Sequence, residues 1–315
     1  MLTVVIPAYN EEAMIARAVS AIDGTLKGAN IPFELLFVDD GSGDRTWETI
    51  KSAACAHPEV RGIHFSRNFG KEAAIMAGLT ASRGTCCVVM DCDLQHPPEK
   101  IVEMYRLWEA GYEIVEGRKR SRGREGRLHA FAAKAFYALI SAATGFDMEN
   151  ASDFKLLDRK VVDVLKGMHE KNAFFRALSS WVGFQSASVE FDVQSREAGE
   201  SKWSTFALIR YALGNISSFS AAPMQIVTVL GVVMLLVSAV LGGIALIQKL
   251  CGRALEGFTT VILIQLFSSS VMMISLGIIG YYIAKMYEEI KDRPRYIIAD
   301  VCENRQENAR IRGVL

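Results

Sequence analysis

The sequence predicts an α/β protein: a doubly wound, mostly parallel sheet followed by an interfacial helix and a C-terminal transmembrane helical hairpin. Three observations carry this expectation. Short β-branched runs alternate with amphipathic stretches over roughly the first 117 residues. Acidic turns recur directly after those runs. Residues 211–248 and 257–284 contain no charged side chain.

Runs at 2–6, 33–38, 60–65, 85–90 and 113–116 read as strands, and stretches at 11–26, 45–56, 71–82 and 98–110 as helices. Strands separated by helices of this length imply βαβ units with parallel pairing. In such sheets ligands bind beyond the carboxyl ends of the strands. That rule selects four segments, 7–12, 39–44, 66–71 and 91–96. The middle third is less regular. Residues 117–127 hold six Lys/Arg against one acid and read as a mobile basic loop. Helices are expected at 128–143, 160–167 and 169–181, and a strand at 186–193. Phe131, Phe136 and Leu139 suit core packing. A helix over 203–219 carries Trp203, Phe206, Ile209 and Leu213 on one side, with Arg210, which suits a membrane interface.

Both charge-free stretches exceed the ~20 residues that a helix needs to cross a bilayer. Pro223 opens the first, and the link at 249–256 is short, so an antiparallel hairpin is expected. Lys285, Lys291, Arg293 and Arg295 follow the second span, against Lys249 and Arg253 in the link, and Arg210 flanks the first span. The positive-inside rule then puts both termini in the cytosol, and residues 1–6 carry no signal-peptide pattern. The expected organisation is a cytosolic α/β domain at 1–202, an interfacial region at 203–222, and spans at 223–248 and 257–284. An extracytoplasmic loop at 249–256 joins the spans, and a cytosolic tail fills 285–315, anchored in the cytoplasmic (inner) membrane.

Lys plus Arg and Asp plus Glu each number 35, so the net charge is zero and no global field favours nucleic acid. Six cysteines lack CxxC spacing and read as plain thiols in a reducing compartment.

Asp91-Cys92-Asp93-Leu94-Gln95 follows the apolar run 87–90. Two carboxylates one residue apart at a strand end favour a hard divalent cation, Mg²⁺ or Mn²⁺, shared with substrate phosphates. Gln95 offers a further carbonyl oxygen. An acidic loop that merely caps the helix from Pro98 competes with this reading, as does a phosphoaspartyl phosphatase. In Asp39-Asp40-Gly41-Ser42-Gly43-Asp44 a carboxylate suits a base N–H and a ribose hydroxyl, while Asp44 suits an Asx turn before the next helix. In Pro7-Ala8-Tyr9-Asn10-Glu11-Glu12, Tyr9 suits a base and Glu11 a ribose, with Asn10 equally a helix cap.

As a set these three turns resemble family 2 glycosyltransferases of the GT-A fold. So do Ser66-Arg67-Asn68-Phe69-Gly70-Lys71, Ala77-Gly78, Glu116-Gly117-Arg118 and Ala151-Ser152-Asp153-Phe154-Lys155-Leu156. The run 196–203, Arg-Glu-Ala-Gly-Glu-Ser-Lys-Trp, and Arg293-Pro294-Arg295-Tyr296 are similar to elements of the polyprenyl-phosphate branch, which includes bactoprenol glucosyltransferases and dolichol-phosphate mannosyltransferases. The resemblance covers roughly residues 3–298. It implies a nucleoside site at Pro7, Ala8, Tyr9, Glu11, Val38, Asp39, Asp40, Asp91 and Cys92. It implies metal ligands at Asp91, Asp93 and Gln95, and catalytic carboxylates at Asp93 and Asp153. Donor and acceptor phosphates would fall to Arg118, Arg122, Arg124, Arg127, Arg196, Ser201 and Lys202. Asp153 could instead be a structural partner of Lys155 or Arg159.

The implied partners are a nucleotide sugar, with UDP-glucose favoured, a polyprenyl-phosphate lipid and the membrane. Galactose, GlcNAc, mannose and aminoarabinose donors stay open. Cys92 replaces the family's usual Ala. Tyr281-Tyr282 replaces a common Gly-Glu pair, which leaves hairpin packing and a homo-oligomer open. A processive synthase is disfavoured by the missing Gln-x-x-Arg-Trp element, and a nucleotide-sugar-binding scaffold remains the non-enzymatic competitor.

Overall fold

The computed structural model describes residues 1–119, 152–168, 175–192, 222–251 and 257–303. Nine segments lie within residues 1–119: β1 (Leu2–Ala8), α1 (Ile15–Gly28), β2 (Phe33–Asp39), α2 (Thr46–Ala56), β3 (Val60–Phe65), α3 (Lys71–Ala81), β4 (Cys86–Val89), α4 (Glu99–Glu109) and β5 (Ile114–Lys119). They are followed by β6 (Lys155–Asp158), α5 (Arg159–Lys166), α6 (Phe175–Trp181), β7 (Ser186–Phe191), α7 (Ala222–Leu250), α8 (Phe258–Ile290) and β8 (Ile298–Cys302).

The eight strands form one sheet in the order β7-β5-β6-β4-β1-β2-β3-β8. Pairings β1–β2, β1–β4, β2–β3 and β5–β7 are parallel, while β6 and β8 pair antiparallel with their neighbours. The central strands β1, β2 and β4 are hydrophobic on both sides because helices cover both faces. Ile15, Ile22, Trp47, Ile50, Ile101 and Met104 of α1, α2 and α4 pack on one face with Val4, Ile6 and Leu35. Ala73, Ala74 and Ala77 of α3 pack on the other with Leu36, Val38 and Phe65. Small residues let α3 lie close: a Cβ on Gly78 would stand 2.2 Å from Val5 Cγ1.

Three differences from the sequence reading have local causes. The first helix begins at Ile15 rather than residue 11, because Glu11 N–H donates to Thr46 Oγ1 (2.8 Å) and Glu12 N–H to Asp44 (3.3 Å) instead of entering a helical ladder. Gly117, Arg118 and Lys119 continue β5 in register with β7 and do not belong to a loop. The C-terminal tail is divided: α8 runs to Ile290, and β8 pairs with β3 at the sheet edge. Tyr296 stacks on Phe65 (5.0 Å between ring centres), and Trp47 Nε1 donates to Asp300 (3.3 Å). The expected helices at 128–143 and 203–219 lie outside the described residues, as does most of the basic loop.

The chain divides into two compact units, 1–204 with 294–315, and 205–293. In the second, α7 and α8 contact each other. Their apolar windows, Val227–Ile244 and Ile264–Ile290, have mean hydropathies of 2.5 and 1.7, and no part of either is buried within the protein. They are long and apolar enough to cross a membrane. All six cysteines are free; Cys86, Cys87 and Cys92 are buried.

Candidate active site

The cleft forms where the central parallel strands end. Register pairs Ala8 with Asp39 at the ends of β1 and β2, so the turns that follow must touch. They are laced together. Asp40 N–H donates to the Ala8 carbonyl (2.9 Å), Asn10 N–H to Ser42 Oγ (2.9 Å), and Gly43 N–H to Asn10 Oδ1 (2.9 Å). Asn10 is thus a cross-turn bridge and not a helix cap; its φ of 56° belongs to the left-handed region that Asn tolerates. Asp44 Oδ1 accepts from Thr46 N–H (3.0 Å) and Thr46 Oγ1 (2.5 Å), the expected Asx turn. Gly41 has φ 65°, and a Cβ there would collide with the Arg67 backbone at 2.3–2.7 Å.

The two neighbouring aspartates have separate tasks. Asp39 is fully buried; Oδ1 accepts from Ser42 N–H (3.1 Å) and from its hydroxyl, while Oδ2 lies 2.7 Å from His64 Nδ1. Asp40 reaches the cleft and accepts from Phe69 N–H (2.7 Å) and Gly70 N–H (2.9 Å). Burial pushes its carboxyl above the ordinary value despite these two donors.

Pro7, Ala8, Tyr9, Glu11, Asp40, Asp91, Cys92 and Asp93 line one cleft of about 290 Å³, together with Asn68, Gly70, Lys71 and Ala74. That is the lower end of the size range of small-molecule sites. Tyr9 is 49 % exposed at its mouth. Val38 and Asp39 lie beneath the lining and do not reach it. Cys92 is buried, and burial pushes its thiol up, which keeps it an inert wall residue. At the end of β4, Leu94 takes φ 56°, and Gln95 N–H donates to Asp93 Oδ1 (3.1 Å), which closes the Asp91–Gln95 turn. His96 folds inward, buried against Phe154 (4.8 Å, stacked) and Phe191.

Asp153 is buried at 5 % exposure, and its partners are neither Lys155 nor Arg159. Arg176 grips it with Nε to Oδ1 (2.7 Å) and Nη2 to Oδ2 (2.9 Å), and Lys71 Nζ reaches Oδ2 (2.8 Å). Lys71 Nζ also lies 2.6 Å from Asp91 Oδ1. Burial works against the charge on Asp153, but Arg176 and Lys71 outweigh it and hold its carboxyl well below the usual carboxylate range. Lys155 instead pairs with Glu116 (3.0 Å) and Ser179 (2.9 Å), and Arg159 binds the Gly84 carbonyl (2.9 Å). Glu72, next to Lys71, accepts from Phe175 N–H (2.9 Å); burial pushes its carboxyl up to about 7.

Lys71 and Arg176 were not singled out as site residues by sequence reasoning. Lys71 stands in the Ser66–Lys71 motif, a signal that could have found it. Arg176 lies 23 residues beyond Asp153 with no local signal. Arg118 sits on β5, 47 % exposed and paired with Glu116 (3.3 Å), away from the cleft lining. Arg122, Arg124, Arg127, Arg196, Ser201 and Lys202 lie outside the described residues.

The donor set fits a hard divalent cation. Asp91 and Asp93 present carboxylate oxygens at the cleft, and the Lys71 ammonium stands in for a cation beside Asp91. Two protein carboxylates leave coordination positions for phosphate oxygens and water, the usual habit of Mg²⁺ sites.

The chain matches the family model Glycosyl transferase family 2 over residues 3–177. It is 39 % identical to the uncharacterized glycosyltransferase YkcC of Bacillus subtilis, over 94 % of this chain and 92 % of that one. It is 35 % identical to the prophage bactoprenol glucosyl transferase homolog of Escherichia coli, over 95 % of this chain and 99 % of that one. The bactoprenol glucosyl transferase of Shigella phage SfII is also 35 % identical, over 94 % and 97 %. The acidic turns, their cleft and these full-length relatives lead to one conclusion: the chain is a glycosyltransferase and belongs to glycosyl transferase family 2.

Proposed function

We propose that this glycosyltransferase moves a hexose, glucose by preference, from a UDP-sugar to undecaprenyl or another polyprenyl phosphate, with inversion at the anomeric carbon. The observation that carries the proposal is the single cleft that joins Tyr9, Glu11 and Asp40 to Asp91 and Asp93. The first three suit a nucleoside, and the last two suit a diphosphate that arrives with a cation. A divalent ion, Mg²⁺ or Mn²⁺, held by Asp91 and Asp93 with Gln95 nearby, would neutralise charge on the departing nucleoside diphosphate.

The lipid acceptor is supported by the bactoprenol glucosyl transferases among the full-length relatives and by the two unburied apolar helices. A lipid phosphate cannot leave the bilayer, so an enzyme anchored by a helical hairpin works at its surface. In this reading the sheet domain and both termini face the cytosol. The acceptor is already an anion, so its attack in line on the anomeric carbon needs no strong base. Asp153, doubly paired with cations and held ionised, orients the site and takes no proton. Arg118 and the basic side chains at 122, 124, 127, 196 and 202, with Ser201, would steer two mutually repelling phosphates together.

The test is transfer of labelled sugar from UDP-glucose, UDP-galactose, UDP-GlcNAc, GDP-mannose and a UDP-aminoarabinose donor to undecaprenyl phosphate by the full chain in membranes. The expected result is labelled lipid, formed fastest with UDP-glucose. Phosphate release without labelled lipid would establish a phosphatase, and donor binding without any product a scaffold; either defeats the proposal.

A further inference from the structure

We propose that Lys71 is a tethered counter-cation that holds the place of the metal on Asp91 until the donor diphosphate arrives, so that metal entry depends on donor entry. The inference rests on the reading of Asp91 and Asp93 as the metal site. It follows from how the charges in the cleft are shared.

Lys71 is the first residue of α3, a helix locked onto the sheet by Ala73, Ala74 and Ala77, so its Cα is fixed. Its side chain lines the cleft and keeps 41 % of its surface open, unlike a structural lysine such as Lys155 at 1 %. Its ammonium bridges two carboxylates from different parts of the chain, Asp91 Oδ1 at 2.6 Å and Asp153 Oδ2 at 2.8 Å. The two partners depend on it unequally. Asp153 has the two-pronged grip of Arg176 and keeps a full counter-charge if Lys71 moves. Asp91 sits at the cleft, half-buried, with the Lys71 ammonium against one of its oxygens.

A cation at 2.6 Å occupies Oδ1, one of the two oxygens of Asp91, and a divalent ion on the same carboxylate would meet strong repulsion from it. Metal alone must therefore bind against that repulsion or displace the Lys71 ammonium and leave it without its second carboxylate. A nucleoside diphosphate changes the balance, because its oxygens give the displaced ammonium a new partner beside Asp153. A flexible, point-charge lysine can make that exchange, whereas a planar guanidinium fixed on one carboxylate cannot do so as readily. Metal affinity in the donor-free protein is reduced by the fraction of time that Lys71 holds Asp91.

The experiment measures Mn²⁺ binding by electron paramagnetic resonance on the full chain in detergent, with and without UDP. The proteins are wild type, Lys71→Met, Lys71→Arg and Asp93→Ala. UDP is expected to strengthen Mn²⁺ binding to wild type greatly. Lys71→Met should bind Mn²⁺ without UDP about 10-fold or more tighter than wild type, and UDP should then add much less. Lys71→Arg, which keeps a cation at the site, should stay close to wild type without UDP. Far-ultraviolet circular dichroism and the thermal transition check that each variant is folded, and the Arg variant carries the test if the Met variant is not. Mn²⁺ binding without UDP that is clearly tighter in Lys71→Arg than in wild type, or unchanged Mn²⁺ affinity in Lys71→Met, overturns the inference and leaves the metal site standing. Failure of wild type to bind Mn²⁺ even with UDP, or full binding by Asp93→Ala, overturns the metal site and the inference with it.

Discussion

The two sides of the cleft are built by different means. On the β1–β2 side, backbone N–H groups and short polar side chains interlock: Asn10 with Ser42 and Gly43, Asp40 with Phe69 and Gly70, Asp39 with Ser42 and His64. On the β4 side, carboxylates are held by side-chain cations from elsewhere in the chain: Asp91 by Lys71, and Asp153 by Lys71 and Arg176. Hydrogen bonds to backbone fix geometry and carry little net energy each, whereas ion pairs at a cleft can exchange partners. The first side is shaped before anything binds. The second holds its charge in a form that a ligand can rearrange, which suits the proposed exchange of diphosphate and metal.

Substitutions should separate the sides by the size of their effect. Arg176→Met leaves the buried Asp153 with Lys71 alone, and should lower stability by about 2–3 kcal/mol, the cost of removing two charged hydrogen bonds from a carboxylate that keeps one cation. A thermal transition of the full chain within a degree of wild type would refute it. Gly78→Ala forces a methyl to 2.2 Å from Val5 Cγ1 and must push α3, with Lys71 at its start, off the sheet. A loss of about 1–3 kcal/mol is expected, checked by denaturant titration.

Glu72 gives a pH signature on the charged side. Its folded carboxyl titrates at about 7 against 4.5 ordinarily, because burial disfavours its ionised form. Below pH 4.5 both folded and unfolded chains hold the proton, and stability is unaffected. Between pH 4.5 and 7 the unfolded chain ionises while the folded chain keeps the proton, and folding loses about 3 kcal/mol. Glu72→Gln, which keeps an acceptor for Phe175 N–H, should match wild type near pH 4 and exceed it at pH 8. A stability difference that does not change with pH contradicts this origin. The smallest effect belongs to the laced side: Ser42→Ala removes one acceptor for Asn10 N–H and one donor to Asp39, worth about 1 kcal/mol. Hydrogen exchange at Asn10 should speed up while Mn²⁺ binding stays unchanged.

The same contrast explains what the sequence disclosed. The laced turns were legible because each lies directly after an apolar run and spells its pattern locally, as in Pro7–Glu12 and Asp39–Asp44. The central parallel strands were legible for the same reason. On the charged side the acids of Asp91–Gln95 were legible in the same way, but the cations that hold Asp91 and Asp153 were not. Asp153 meets Lys71 across 82 positions and Arg176 across 23, and local spacing pointed instead to Lys155 and Arg159. β6 and β8 were missed because each is short, four and five residues, and pairs antiparallel with a neighbour distant in sequence. The tail strand was hidden further by lying just beyond α8, where basic residues suggested only a membrane flank. The apolar helices were plain from composition alone, because absence of charge over such lengths has few other uses.

The most direct test of the account is glucose transfer from UDP-glucose to undecaprenyl phosphate by the full chain in membranes, with Mn²⁺ and with chelator, for wild type and Asp93→Ala. Chelation and the substitution should each lower the rate by about 100-fold or more, and together lower it no further, as expected for two ways of removing one electrostatic element. Transfer that survives both at the wild-type rate would contradict the metal-centred site.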